Sequence, residues 1–228
     1  MEKHLFLGDE AIAQAAIDAG MSGVYAYPGT PSTEITEYIQ NSATAKQLGI
    51  HSNWSSNEKT ALETALGMCY AGKRALCCMK HVGLNVAADC FMNASMTGIH
   101  GGMIIITADD PSMHSSQNEQ DNRAYASFAK VPLLEPSDSQ EAKDLVKTAF
   151  DLSEKFDTLV MLRTTTRIAH SDSVVSLGQV RRPKVSLRIS KDVAKYVMVP
   201  AFARRRHPLI EKRMGNLRIY KRNNHERL

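Results

Sequence analysis

Long apolar runs are missing from this 228-residue sequence. The longest, residues 103–106 and 159–162, are far too short to cross a bilayer, which needs about 20 apolar positions. The first residues, Met1-Glu-Lys-His4, carry no apolar signal segment, so a cytoplasmic protein is the expectation. Cysteine is scarce, at positions 69, 77, 78 and 90 only. No two form a Cys-x-x-Cys pair, which excludes a zinc ribbon or an iron–sulfur motif within these residues. The four are expected to be reduced, small buried apolar side chains. Neither Gly-x-Gly-x-x-Gly nor the P-loop pattern occurs, so a nucleotide enzyme of those kinds has no support. His-Glu-x-x-His and Gly-x-Ser-x-Gly are absent too, which removes the common zinc peptidase and serine hydrolase readings. Two Asn-x-Ser matches, at Asn53 and Asn93, are chance in a chain that is not exported.

What is present is an apolar content of 43%, enough for one sizeable core and an appendage. The net charge of +4 hides an asymmetry. Residues 181–228 hold 15 Lys/Arg against 3 Asp/Glu, a net +12, while residues 1–180 are net −8. An acidic body and a basic tail are thus separate objects, with Pro183 near the boundary.

Along the body, helical and extended signals alternate. Asp9 can open a helix that Gly20 stops. Residues 24–27 read as a buried strand that runs into a Pro-Gly-Thr-Pro loop, and Ser32 caps the helix after it. Asn57 introduces a strong helix over 58–71, followed by a strand over 75–79 and an alanine-rich helix over 85–96. Residues 101–108 form a strand by composition, 132–134 a weaker one, 139–155 an amphipathic helix and 158–163 the last clear strand. Apolar strands alternating with helices argue for an α/β fold with a parallel sheet covered on both faces. From Ser171 the pattern fades, although the apolar run over 196–202 needs a cover.

Ligands gather at the carboxyl ends of strands in such sheets. Three polar loops fall there: residues 27–32, 80–85 and 109–120. Glu58, at the first turn of a helix, gains from the helix N-terminus, but a surface glutamate is the commoner fate of that position.

These residues also carry a resemblance. Glu58 is followed by Ala61, Ala65 and Gly67, the spacing found on the helix that opens with the cofactor-activating glutamate of thiamine-diphosphate enzymes. Tyr27-Pro-Gly-Thr-Pro-Ser-Thr-Glu34, Trp54-Ser-Ser-Asn-Glu58, Met79-Lys-His-Val-Gly-Leu-Asn-Val-Ala-Ala-Asp89 and the acidic loop over 108–121 occur in order. With Glu135-Pro-Ser-Asp138, Leu162-Arg-Thr-Thr-Thr-Arg167 and Val199-Pro-Ala-Phe-Ala-Arg204, they resemble the alpha subunit of indolepyruvate:ferredoxin oxidoreductases over nearly the whole chain.

The resemblance implies a three-layer, parallel-sheet sandwich of the thiamine-diphosphate pyrimidine-domain type, residues 1–170, with a basic connecting segment over 171–228. It implies oxidative decarboxylation of aryl 2-oxo acids to the acyl-CoA with reduction of ferredoxin. Glu58 would hydrogen-bond N1′ of the cofactor's aminopyrimidine, making the cofactor its own acid–base catalyst. Tyr27, Pro28, His81, Val82, Gly83 and Asn85 would line the cofactor. Gly29, Thr30, Gln117, Asn118 and Arg123 would meet the substrate, Thr30 at its 2-oxo acid end. Gly29, where related pyruvate enzymes carry isoleucine, would widen the pocket for an aryl group. Arg123 could pair with a carboxylate or a CoA phosphate, although a helix-surface arginine is the more ordinary reading; His81 and His114 likewise read first as hydrogen-bonded loop histidines, and Tyr25 as core.

That family's subunit is much longer. Its pyrophosphate-binding domain, with a Gly-Asp-Gly…Asn magnesium motif, and its cysteine-rich domain for two iron–sulfur clusters are not within these residues. The expected partners are therefore those C-terminal domains, a beta subunit and ferredoxin, with the lone chain inactive. The alternative is a non-catalytic fragment or regulatory partner that keeps the fold. Nucleic-acid binding through the tail ranks below both, because stacking aromatics are lacking and the apolar run suits docking on protein.

Overall fold

A computed structural model describes residues 3–178, 180, 181, 189 and 191–224, with the side chains of Asn223 and Asn224 left aside. The boundary expected at Pro183 lies outside the described residues. In chain order the elements are β1 (Lys3–Leu7), α1 (Gly8–Asp18), β2 (Gly23–Ala26), α2 (Thr33–Asn41), α3 (Ala43–Gln47), β3 (His51–Trp54), α4 (Glu58–Tyr70), β4 (Ala75–Lys80) and α5 (Gly83–Thr97). They continue with β5 (Met103–Asp109), α6 (Arg123–Ala129), β6 (Leu133–Leu134), α7 (Ser139–Phe156), β7 (Val160–Thr165), α8 (Thr166–Ala169), β8 (Asp172–Ser176), α9 (Val193–Tyr196) and α10 (Pro200–Asn224).

Six strands form one parallel sheet in the order β3-β2-β4-β5-β7-β6. Its central strands β2, β4 and β5 are buried along their length, apart from the last residue of β4, which fits the apolar runs that make up most of them. Alternate residues of each strand serve opposite layers. Leu76, Ile104, Ile106 and Leu162 pack with Ile12, Ile17 and Ile35 of α1 and α2 and with Val146 and Phe150 of α7. Cys77, Met79, Ile105 and Met161 pack with Leu62 of α4 and with Leu84 and Phe91 of α5. The expected three-layer sandwich is the one observed. All four cysteines are buried and free, and Tyr25 is a core residue.

Three features escaped the sequence. The edge strand β3 is a polar His-Ser-Asn-Trp segment. β1 and β8 pair antiparallel as a separate two-stranded sheet. The basic tail forms α10, a 25-residue helix that runs through Pro208. Its Ile210, Arg213 and Leu217, spaced along one face, are buried against the body. Arg213 donates to the carbonyls of Ser95 and Asp157, and Arg206 to those of Met96 and Thr97. The cations thus satisfy the carbonyls at the C-terminal ends of α5 and α7, where the helix dipole also favours positive charge. Burial pushes the Arg213 guanidinium down to about 10. No helix among the described residues is long and apolar enough to cross a membrane.

Candidate functional site

The carboxyl ends of β2, β3, β4, β5 and β7 open onto residues 27–32, 55–57, 81–82, 110–122 and the short helix α8. The three loops singled out in the sequence therefore lie on one edge of the sheet, as expected.

Glu58 opens α4. Asn57 caps the helix by accepting the Thr60 backbone N–H on its side-chain oxygen (2.9 Å). Only 9% of Glu58 is exposed, so the surface glutamate that is commoner at such positions is not what the fold makes of it. Its carboxyl group lies beneath the N-terminus of α5. A Cβ placed on Gly83 would stand 2.6 Å from Glu58 Oε1 and 2.7 Å from its Cγ. Glycine is thus required at 83 by close approach. Among the described residues no hydrogen bond reaches the Glu58 carboxylate, which leaves a nearly buried acceptor facing the helix end.

His81 is fully buried one residue past β4. Its backbone N–H continues the ladder to Ala108 O, its Nε2 lies 2.9 Å from Asn118 O, and Asn122 Nδ2 donates to its carbonyl. Its Nδ1 is buried without a partner. Asn85, on the first turn of α5, accepts a 2.6 Å hydrogen bond from the Tyr125 hydroxyl. Lys80 Nζ donates to Ser115 O, and the Ser115 hydroxyl donates to Thr30 O, so two of the loops are stitched together through the end of β4. The Lys80 stem lies within 3.1–3.6 Å of a Cβ built on Gly29. The space expected to be free for an aryl group beside Gly29 is therefore lined by Lys80, and the missing side chain is what lets that stem pass.

Asp110 organises the longest loop. It accepts hydrogen bonds from the N–H groups of His114 and Ser115 and from the hydroxyls of Ser116 and Thr166. Burial alone would raise its pKa, but these donors together hold it well below the usual carboxylate value of 3.8. A group depressed in the folded state stabilises above its unfolded pKa and loses that contribution as pH falls. Asp110→Asn should cost about 1.5–3 kcal/mol at pH 7. The deficit should shrink as pH drops below about 4, as read from urea midpoints of both proteins.

Behind this loop, Arg163 Nε donates to Asp109 Oδ2 (2.7 Å) and its Nη1 to Glu135, while the Asn122 N–H also reaches Asp109. Burial pushes the Asp109 carboxyl up, and Arg163 and Asn122 oppose it.

Of the residues anticipated from sequence, Glu58 and Gly83 touch, His81 and Asn118 share a hydrogen bond, and Thr30 is joined to the 110–122 loop through Ser115. Tyr27, Pro28 and Thr30 are exposed at the same edge, with Val82 at the start of α5. Gln117 is exposed, and no hydrogen bond among the described residues joins it to the others. Arg123 is held by Asp121 at 2.6 Å, with Glu135 4.0 Å away, which is the surface pairing its position suggested. Lys80, Asp110 and Tyr125 were missed. For Asp110 a signal existed: an aspartate followed by serines five and six positions on in a loop is apt to fold that loop around itself.

Comparison with known proteins identifies the family and the fold. The model of the family described as "Pyruvate flavodoxin/ferredoxin oxidoreductase, thiamine diP-bdg" matches residues 14–220. Indolepyruvate oxidoreductase subunit IorA of Thermococcus kodakarensis is 50% identical over 95% of this chain and 34% of its own length. The subunit of the same name from Pyrococcus horikoshii is 54% identical over 91% of this chain and 32% of its own. The chain thus spans about a third of the length of these relatives. A solved 2-oxoglutarate:ferredoxin oxidoreductase from Magnetococcus marinus superimposes with a TM-score of 0.75 over 94% of this chain and 45% of that one; at 15% identity the likeness is one of fold. The chain belongs to the thiamine-diphosphate-binding family of pyruvate flavodoxin/ferredoxin oxidoreductases.

Proposed function

We propose that this chain supplies the pyrimidine-binding half of a thiamine-diphosphate site in an oxidoreductase that decarboxylates aryl 2-oxo acids such as indolepyruvate, forms the aryl-acetyl-CoA and reduces ferredoxin. The observation that carries this reading is Glu58, a nearly buried carboxylate with no hydrogen-bond partner among the described residues, held under the glycine that opens α5.

The residues fit the group. Among the described residues no hydrogen bond reaches the nearly buried Glu58 carboxylate, an acceptor that the aminopyrimidine can satisfy at this edge. The cofactor, when bound, supplies a nucleophilic thiazolium carbon for attack on the 2-oxo group. Glu58 is the residue that holds a proton at N1′, and its partial burial strengthens that hydrogen bond. Tyr27, Pro28, His81, Val82, Gly83 and Asn85 shape the cofactor wall. Gly29, Thr30, Gln117 and Asn118 face the substrate from the neighbouring loops. Arg123 takes the substrate carboxylate or a CoA phosphate only if it leaves Asp121, at the cost of that exposed pair. Residues 1–170 are the pyrimidine-binding domain and residues 171–228 the connecting segment.

The names of the relatives support the substrate class. Magnesium and the diphosphate would be held by a separate domain, iron–sulfur clusters by another, and a beta subunit and ferredoxin would complete the assembly. Titration of thiamine diphosphate and magnesium into the lone chain should give weak or no heat. Supplying the remaining two-thirds of an IorA subunit and its partner subunit should restore binding and indolepyruvate-dependent ferredoxin reduction. Failure of every such combination to reduce ferredoxin would contradict the reading.

A further inference from the structure

Away from Glu58, on the face covered by α1 and α2, a second group of polar side chains has no Lys or Arg counter-charge among the described residues. Asp9 in the first turn of α1, Glu34 in the first turn of α2 and His170 just past α8 place one ligating atom each within 4.8 Å of one another. Asp9 is 0% exposed, and neither of its carboxylate oxygens has a hydrogen-bond partner. Glu34 Oε2 is buried without one as well. His170 Nε2 lies 3.5 Å from Glu34 Oε1, and both side chains are 34% exposed, which leaves a route from solvent. Among the described residues no Lys or Arg pairs with either carboxylate.

Two carboxylates packed together and unpaired are costly to bury. Three remedies exist: a proton, a nearby cationic side chain, or a metal ion. The second is met only in part: a protonated His170 can answer Glu34 Oε1, but among the described residues no Lys, Arg or His pairs with Asp9. Without a cation, burial first, then the charges of Glu34 and Glu10, push the Asp9 carboxyl well above its usual range. A proton, however, gives Asp9 a donor and still leaves one of its oxygens and Glu34 Oε2 unanswered. A divalent ion held by one oxygen of each carboxylate, with His170 as the third ligand, neutralises both charges at once.

We infer that Asp9, Glu34 and His170 form a binding site for a first-row divalent transition metal ion, with zinc the best-matched probe. Two carboxylate oxygens and one imidazole nitrogen are a borderline donor set that suits such an ion better than magnesium or calcium, which take oxygen alone. Ligands about 2.0–2.2 Å from zinc stand roughly 3.3 Å apart. The 3.5 Å separation of His170 and Glu34 meets this already. Any wider pair closes by rotation of those two partly exposed side chains, toward an Asp9 that is fixed. The ion would join the β1–α1 junction, the start of α2 and the turn after β7, and Glu34 lies only four residues beyond Thr30.

The test is thermal unfolding of the full chain, stripped with chelator, with and without Zn²⁺. At about 100-fold excess over Kd the midpoint should rise by about 5–10 °C. Asp9→Asn keeps shape and removes charge, so it should fold at least as well as the parent in chelator. It should bind Zn²⁺ at least about 10-fold more weakly, as should His170→Ala, because loss even of an outer-shell partner costs that much. His207→Ala should keep the full response. Calorimetry of the parent should also show proton release on binding, since Asp9 must ionise. No midpoint rise in the parent, or an equal rise in Asp9→Asn, would show that Asp9 is simply a buried neutral acid and overturn the site. Neither outcome depends on thiamine diphosphate, so this test is separate from that of the proposed function.

Discussion

Replacing Glu58 with glutamine should lower indolepyruvate-dependent ferredoxin reduction by about 10²–10⁴-fold in the reconstituted complex, the usual worth of one positioned acid–base group. On a rate scale of 1.36 kcal/mol per decade, that is about 3–5 kcal/mol of transition-state stabilisation. The same substitution should leave the unfolding midpoint of the chain nearly unchanged or slightly raised. Among the described residues no hydrogen bond ends on this carboxylate, so amide for acid removes no partner there, and it relieves the cost of enclosing a charge at 9% exposure. Large loss of activity with no loss of stability is what separates a residue kept for chemistry from one kept for packing. Gly83→Ala is the companion case. Its methyl group would meet Glu58 Oε1 at 2.6 Å, so either the carboxylate or the start of α5 must move. Activity should fall there too, with Glu58 still present, because a displacement of about 1 Å from the productive position is enough to cost about 100-fold.

The largest effect on stability should come from Arg163. Asp109 is 1% exposed and Arg163 is 6% exposed, unlike the surface pair of Arg123 with Asp121. Arg163→Ala strands a buried carboxylate whose pKa is already raised by burial. Removing one partner of a buried pair costs about 3–5 kcal/mol, against about 0.2–1 kcal/mol for an exposed one. Arg123→Ala is therefore the control, with little change in chemical denaturation. The pH dependence has a definite sign. Without Arg163 the folded state binds a proton on Asp109 more readily than the unfolded chain does, so stability is regained as pH falls. The deficit of Arg163→Ala should be greatest near pH 7 and smaller toward about pH 4–5. Adding Asp109→Asn should recover part of the loss at pH 7, and the double-mutant cycle isolates the pair.

Much of this architecture was readable because local chemistry and tertiary role coincide. Residues 75–79 and 103–106 are apolar throughout since both faces of a central parallel strand are covered. Asn57 and Asp138 cap their helices as those residue types suggest, each accepting a backbone N–H three residues on. The failures have physical causes too. β3 is an edge strand paired only with β2, so His51 and Asn53 can face water and the segment carries no burial signal. β1 and β8 are joined by pairing between residues about 170 positions apart, which no local pattern encodes. In α10, Pro208 and a run of arginines hide a stripe of two apolar residues, and two of the tail's arginines, Arg206 and Arg213, are spent on the carbonyls at the ends of α5 and α7. Glu58 stood out only through the family resemblance. As an isolated residue it reads as a helix-start glutamate, and the close approach of Gly83 that buries it comes from another strand-to-helix junction altogether. Asp9 gave no sign beyond a helix start, since what isolates it is the convergence of α1, α2 and the turn after β7.

Exchange of the thiazolium C2 proton for deuterium tests the central claim most directly, because it reads the proton relay before any substrate binds. Thiamine diphosphate and magnesium would be added to the reconstituted complex in heavy water and the C2 proton signal followed after acid quench. The parent chain should accelerate exchange over the free cofactor, and Glu58→Gln, at equal cofactor occupancy, should slow it by about 10²–10⁴-fold. Equal exchange rates in the parent and in Glu58→Gln, with the cofactor bound in both, would contradict the role assigned to Glu58.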